Sequence, residues 1–177
     1  IATLKNGNLR GSSNRHHPVS DCIKHECGIA FIRLLKPLEF YQETYGTAFY
    51  GLNKLYLLME KQHNRGQDGA GVASVKLNPT HGKRYIDLKR SNSTQPRKEI
   101  FGSIFDGVRQ AEKENPDMVN DTTLLKENVD FCGELLLGHL RYGTHGVNTI
   151  EACHPFMREN NWMTRNLVLA GNFNMTY

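Results

Sequence analysis

Three residues of the chain have side chains suited to acyl-transfer chemistry: Cys27, Arg141 and Asn172. Cys27 precedes a glycine and an apolar run, so its thiol would lie at the end of a strand with little backbone bulk beside it. Arg141 ends a second apolar run, where a guanidinium can hold a carboxylate through two parallel hydrogen bonds. Asn172 follows a third run, and its amide can donate to a developing oxyanion. Singly, each has a simpler interpretation, such as a core cysteine or a salt-bridged arginine.

Glycine-rich segments separate these residues. Residues 65–71 (RGQDGAG) contain three glycines and link a predicted helix to a predicted strand. Residues 138–146 (GHLRYGTHG) begin as a strand and continue as a loop. The segments HPF (154–156) and AGNFN (170–174) also stand where a predicted strand meets a loop. Each segment taken alone is typical of a turn.

Taken in order, CGI, RGQDGAG, GHLRYGTHG, HPF and GN resemble the motifs of the class II, N-terminal nucleophile glutamine amidotransferases. The resemblance covers residues 27–176, and five ordered motifs within the length of one domain are more specific than any one of them. RGQD followed by GAG, and a glutamate directly before Cys-Gly, look most like the glutaminase domain of the amidophosphoribosyltransferases of purine synthesis.

The resemblance implies that the Cys27 thiol attacks the side-chain amide of glutamine, that ammonia leaves, and that water hydrolyses the thioester. It assigns the proton transfer to the free α-amino group of Cys27, whose ordinary pKa of about 7.7 to 8.0 suits a base near neutral pH. A peptide nitrogen has no basic lone pair. We therefore expect residues 1–26 to be a flexible leader that is removed by cleavage between Glu26 and Cys27.

The resemblance also assigns the substrate contacts. Arg141 would hold the α-carboxylate of glutamine, and Thr144 would help to shape the same pocket. Asn172 and the backbone N–H of Phe173 would face the thioester oxyanion. The family usually reads His-Asn-Gly where this chain has a phenylalanine at the third position, and phenylalanine has a steric cost wherever φ is positive. A slow or specialised glutaminase is one expectation from that difference.

Supporting roles fall to four further residues. Arg65 and Asp68 would brace the turn at the nucleophile. His145 and His154 are expected to be structural, hydrogen-bonding loop backbones, because the cysteine carries its own base. We expect no cofactor in this chain, and a zinc site is a weak alternative because Cys22, His25 and Cys27 have the spacing of no closed zinc site.

The elements that must position these residues follow from hydrophobic periodicity and turn residues. The pattern predicts a buried strand from Cys27, a helix over 46–64, a hairpin of strands 69–77 and 84–90, helices within 96–128 broken at Asn115-Pro116 and Asn120-Asp121, and strands at 134–142 and 166–170. This is an α+β pattern. The family implies the four-layer αββα sandwich of N-terminal nucleophile hydrolases, with two antiparallel sheets.

Length, composition and charge argue against several other classes of protein. A chain of 177 residues, 38% of them hydrophobic, is enough for one domain, which we place at 27–177 after the leader. No secretory signal or apolar run of about 18 residues is found, so we expect a cytoplasmic protein without a membrane partner. The net charge of +4 is scattered, which argues against nucleic-acid binding, and the four cysteines are expected to be free thiols.

Several alternatives remain open at this stage. The acidic residue that binds the substrate amino group in the family, and the phosphoribosyltransferase motifs, would lie beyond Tyr177. The ammonia acceptor would then be phosphoribosyl pyrophosphate, bound by a C-terminal phosphoribosyltransferase domain. The alternatives are the glutaminase domain of another class II amidotransferase and a catalytically inactive glutamine-binding or interaction domain of the same fold. A homo-oligomer is compatible with the sequence.

Overall fold

The computed structural model describes residues 26–143 and 148–173. This part of the chain is α+β, with four α-helices and two antiparallel sheets, so the fold class predicted from the sequence is confirmed at that level. In chain order, the elements are β1 (Gly28–Arg33), α1 (Leu38–Tyr45), α2 (Tyr50–Lys61), β2 (Gly69–Val75), β3 (Ile86–Ser91), α3 (Pro96–Glu114), α4 (Thr122–Asn128), β4 (Leu135–Arg141), β5 (Phe156–Arg158) and β6 (Leu167–Leu169). None of the described helices is long and apolar enough to cross a membrane.

The larger sheet has the strand order β1-β4-β2-β3, and every neighbouring pair is antiparallel. Gly28 of β1 lies opposite Leu140 of β4, and Gly69 of β2 lies opposite Arg141. The first residues of β1 and β2 therefore meet the last two residues of β4 at one end of the sheet. The smaller sheet pairs β5 with β6.

One face of the larger sheet packs against the helices. Leu55 and Met59 of α2 and Ile100 and Phe101 of α3 are almost fully buried in one cluster with Leu136 of β4. Side chains alternate between the two faces of a strand, so the even-numbered residues of β4 face these helices and the odd-numbered ones face away. Burial of large side chains such as these contributes about 1.5–3 kcal/mol each.

The opposite face meets the segment that carries the smaller sheet. A Cβ built on Gly71 of β2 would collide with the carbonyl oxygen of His154, two residues before β5. This close approach requires glycine, and it fixes the distance between the two layers. His139 of β4 contacts Gly171, two residues after β6. The layers therefore follow the order helices, larger sheet, smaller sheet.

Strand β1 is less buried than the strand predicted from its sequence. Ala30 is buried, but Ile29 and Phe31 are 42% and 60% exposed. Within the described residues β1 pairs with β4 alone, so it is an edge strand with one face against the helices. An uninterrupted apolar run cannot distinguish this half-buried arrangement from a central strand. Helix α1 and strand β5 were not predicted from the sequence.

The predicted interruptions of the helical region are confirmed. Helix α3 ends before Asn115, and Asp121 is the N-cap of α4, accepting hydrogen bonds from the N–H groups of Thr123 (2.9 Å) and Leu124 (3.0 Å). An oxygen side chain there satisfies backbone donors that have no partner within the helix. Helix α3 also buries one apolar face against the larger sheet.

A buried ion pair at one end of the larger sheet is hydrogen-bonded to the segment that follows α4. Lys76 and Asp87 are 4% and 1% exposed, and Lys76 Nζ lies 3.7 Å from Asp87 Oδ2. Lys76 also donates to the Val129 carbonyl (2.9 Å), and the N–H of Phe131 donates to Asp87 Oδ2 (2.9 Å). Phe131 has a φ of 61°, a strained value for a bulky residue, so Asp87 helps to hold this turn. Burial raises the pKa of Asp87.

Removal of the cation alone should strongly destabilise the protein. Lys76→Met removes the buried cation and leaves Asp87 with the largely exposed Arg84, 3.6 Å away, as its ion-pair partner, and we expect a loss of about 3 kcal/mol in the free energy of unfolding. The double variant Lys76→Met/Asp87→Asn should recover most of that loss, because the amide is neutral and still accepts from Phe131. Urea denaturation measures both, with the exposed Lys98→Met as the control. A single variant as stable as the control would contradict this role.

Candidate functional site

The thiol of Cys27 lies where β1 begins beside the end of β4. The N–H of Tyr142 donates to Cys27 Sγ at 3.4 Å, and Sγ lies 3.9 Å from the Tyr142 carbonyl oxygen. A backbone donor at this position can stabilise negative charge on the sulfur. Cys27 is half-buried, whereas Cys132 and Cys153 are buried, and all three are free thiols as predicted. Burial raises the pKa of Cys132 to about 12 and also raises that of Cys153, so Cys27 is the accessible thiol among the three.

Arg141 is the last residue of β4 and is 5% exposed. Its Nη1 donates to Asn148 Oδ1 at 2.8 Å. Within residues 26–143 and 148–173, no carboxylate forms an ion pair with it. Arginine is almost never buried without an acidic partner, because the desolvation of an uncompensated charge is costly. The guanidinium therefore has the capacity to bind an anionic ligand.

Asp68 ties the segment before β2 to the end of β4. Its N–H donates to the Arg141 carbonyl (3.1 Å), and its Oδ2 accepts from the N–H of Gly143 (2.7 Å). A Cβ on Gly66 would lie 2.6 Å from the Arg141 carbonyl carbon, so glycine allows the two backbones to touch. The RGQDG segment thus positions the chain on either side of Arg141. Arg65 is exposed, and its side chain bonds to none of the described residues; its bracing role remains a prediction.

Two buried histidines connect β4 to the turn that carries Asn172. The N–H of Gly171 donates to His154 Nδ1 at 3.4 Å, so this nitrogen is the unprotonated one. His139 Nε2 lies 3.2 Å from both the Gly171 carbonyl oxygen and His154 Nδ1, and it must carry the proton that is donated to these two acceptors. One tautomer of each neutral ring satisfies every contact. The backbone-bonding role expected for His154 agrees with this geometry.

The pair is held in the neutral state. Burial, reinforced by His154, lowers the pKa of His139 to about 4. Burial also lowers the pKa of His154, and the charges of Arg141 and Arg90 act in the same direction. His139 Nδ1 is buried without a hydrogen-bond partner, so a proton added there would find no acceptor within the described structure.

The turn over residues 171–173 presents Asn172 to solvent. Asn172 is exposed, and its amide bonds to none of the described residues. The ring of Phe173 lies 4.8 Å from that of His154, and it occupies the space that a Cβ on Gly171 would need. Asn78 and Phe131 are the non-glycine residues with positive φ in the described segments, so the steric cost anticipated at Phe173 does not arise.

The register shows which predicted residues share a face. Cys27 directly precedes β1 and lies two residues before Ile29, so the two share one face of the strand. Ile29 lies opposite His139 of β4. Arg141 and His139 lie on that face of β4, turned away from the helices. The residue that sequence reasoning missed is His139, although its position two residues before Arg141 on a strand predicts a common face. Thr144 and His145 lie outside the described residues.

No group of three or more potential metal ligands is found among the described residues. Comparison of the chain with protein-family models, with curated proteins and with solved structures finds no match.

Acid should destabilise the fold through the histidine pair. Both pKa values are lowered on folding, so the folded state binds fewer protons than the unfolded state between about pH 6.5 and about pH 4. Stability should fall as the pH decreases through this window, by roughly 3 kcal/mol at most for His139.

The variant His139→Gln/His154→Gln should flatten this slope relative to the parent protein in urea denaturation at a series of pH values. His81→Gln removes an exposed histidine and is the matched control. The raised pKa of Asp87 makes stability increase as the pH decreases, which is opposite to the effect of the histidines. Asp87 is present in all three proteins, so the difference between their slopes reports the histidine pair alone. Equal slopes in parent and double variant would rule out the assignment.

Proposed function

We propose that this chain is the glutaminase domain of a class II glutamine amidotransferase. The observation that carries the proposal is Arg141, a buried guanidinium without a carboxylate partner in the described structure, at the strand end next to the accessible thiol of Cys27. A ligand with both a carboxylate and an electrophilic carbonyl fits these two groups. Glutamine carries its α-carboxylate at one end of a short carbon chain and its side-chain amide carbonyl at the other.

Arg141 supplies the binding energy for the α-carboxylate. Asn148 occupies one of its nitrogens, Nη1, and the other guanidinium donors remain for a bidentate contact. The neighbouring histidines are neutral, and no carboxylate of the described residues lies within ion-pair distance of the guanidinium. Asp68 holds the backbone on both sides of Arg141 and fixes its direction.

Cys27 then performs the chemistry. Its sulfur forms a bond to the side-chain carbonyl carbon of glutamine, the carbon–nitrogen bond breaks, and the nitrogen leaves as ammonia with the proton received from the α-amino group. Water adds to the thioester, glutamate leaves, and the thiol is restored. The α-amine is available once the bond after Glu26 is cleaved; Glu26 is exposed, so this bond is accessible.

The oxyanion would be stabilised from the smaller sheet. The Asn172 amide has no competing partner among the described residues, and the backbone N–H of Phe173 follows it. The histidine pair fixes Gly171 through two backbone contacts and so sets the position of this turn. Preorganised donors of this kind are typically worth about 2.7–4 kcal/mol each in the transition state.

The layer order supports the finer fold assignment. Helices cover one face of the larger sheet, and the segment with β5 and β6 lies on the other, which corresponds to three consecutive layers of an αββα sandwich. We therefore propose the N-terminal nucleophile hydrolase fold. We also propose a cytoplasmic enzyme of purine synthesis, in which the ammonia reaches phosphoribosyl pyrophosphate on a C-terminal domain.

Activity should depend on both groups of Cys27. A chain that begins at Cys27 should release ammonia from glutamine, and a chain that retains residues 1–26 uncleaved should be inactive, because its nitrogen is an amide. Cys27→Ala in the shorter chain should abolish turnover, whereas Cys153→Ala, which removes a buried thiol, should retain it. N-terminal mass analysis and glutamate release measure these outcomes. An active chain that still carries its leader would refute the mechanism, and glutamine binding without turnover would favour the non-catalytic alternative.

Substitution of the guanidinium should weaken glutamine binding more than turnover. Arg141→Gln removes a charge-assisted contact worth about 1.5–3 kcal/mol, so kcat/KM should fall about 10- to 100-fold, mainly through KM. The free energy of unfolding should stay level or rise, because a buried charge without an ion-pair partner is removed. Arg158→Gln, at an exposed position of β5, is the control. A normal KM in Arg141→Gln would contradict the substrate role.

A further inference from the structure

The end of the larger sheet opposite Cys27 contains a cavity of about 440 Å³. Its walls come from the end of β1 with the start of α1, from the loop between β2 and β3, and from the first turn of α4. Strand β1 separates it from Cys27 by six residues, or roughly 20 Å. A volume of this size suits a small ligand.

The cavity is rich in cations, and its acids neutralise only some of them. Six of its side chains are basic and three are acidic. Glu39 accepts a hydrogen bond from Thr122, and Glu127 accepts one from Thr80. Glu134 forms an ion pair with Lys126 and accepts from the N–H of Leu77 at 2.8 Å. The hydroxyl bonds leave the charges of Glu39 and Glu127 in place, so the six basic side chains exceed the acids, which are these three and the Asp87 that pairs with Lys76 and Arg84, by two positive charges.

Three of the cations have no partner in the described structure. Lys76 and Arg84 are bonded to Asp87 or to backbone carbonyls, as Lys126 is to Glu134. The remaining side chains make no hydrogen bond or ion pair with a described residue; they are those of Arg33, Lys36 and Lys83. They approach one cavity from two segments, the end of β1 with the chain that leads to α1 and the loop between β2 and β3, in contrast to the cations scattered along the helices.

We propose that this cavity binds a small phosphorylated metabolite that carries two or more negative charges. Arg33 offers the planar fork that matches phosphate oxygens, and Lys36 and Lys83 act as point charges. Leu34, Leu38 and Leu77 line the same cavity and provide apolar surface for the uncharged part of the ligand. The site is independent of glutamine hydrolysis, since it shares no residue with Cys27 and Arg141.

The test is isothermal titration of the chain with ADP, inorganic pyrophosphate and adenosine. We expect ADP and pyrophosphate to bind, adenosine not to bind, and the affinity to fall with added salt. The triple variant Arg33→Gln/Lys36→Gln/Lys83→Gln should lose about tenfold or more in affinity for ADP, as the loss of one charge-assisted phosphate contact would already cause. All three positions are exposed, so the variant should keep the parent's circular dichroism spectrum.

The matched control is Lys61→Gln/Lys98→Gln/Lys113→Gln, which removes the same net charge from exposed helical positions. It should bind ADP as the parent does, and ADP should raise the melting temperature of both by mass action. The proposal is overturned if neither phosphate compound binds, if adenosine binds as tightly as ADP, or if both triple variants weaken binding equally. Because the readout is binding, a failure here leaves the glutaminase proposal intact, and an inactive Cys27 leaves this site intact.

Discussion

The alternation of side chains along β4 is the constraint on which the rest of the molecule depends. This strand lies between β1 and β2, and its residues alternately face the helices and the smaller sheet. A slip of one residue would move His139 and Arg141 into the apolar layer of Leu55 and Met59 and expose Leu140. The helical core and the candidate site thus stabilise the same register, because neither group of side chains tolerates the environment of the other.

Two buried cations on opposite faces of this sheet are compensated differently. Lys76 has an internal carboxylate and a backbone carbonyl, so the charge is neutralised within the fold and supports a strained turn. Arg141 has a neutral amide and two neutral histidines nearby. Lys76 is therefore part of a structural ion pair, whereas Arg141 is available to a ligand. The partners of the two cations show this, and their burial alone does not.

The sequence predicted the elements with strong periodicity or clear caps, including the β2–β3 hairpin and the start of α4 at Asp121. It missed α1, a helix of eight residues that ends at Gly46, and β5, which is too short for alternation to be visible. The partial exposure of β1 depends on which strand pairs beside it, and the contact between His139 and His154 depends on the packing of two sheets. Such long-range contacts leave no local periodicity to detect.

The half-exposed edge of β1 has a consequence for the behaviour of the isolated chain in solution. Among the described residues the outer edge of β1 is unpaired, and such an edge with exposed Ile29 and Phe31 is a template for pairing with the same strand of a second molecule. Arg33 and Lys36 at its far end repel such an approach, and salt weakens that repulsion. At high protein or salt concentration the chain would therefore aggregate through β1, the strand that begins next to Cys27. Such aggregation would make the thiol inaccessible without changing it chemically.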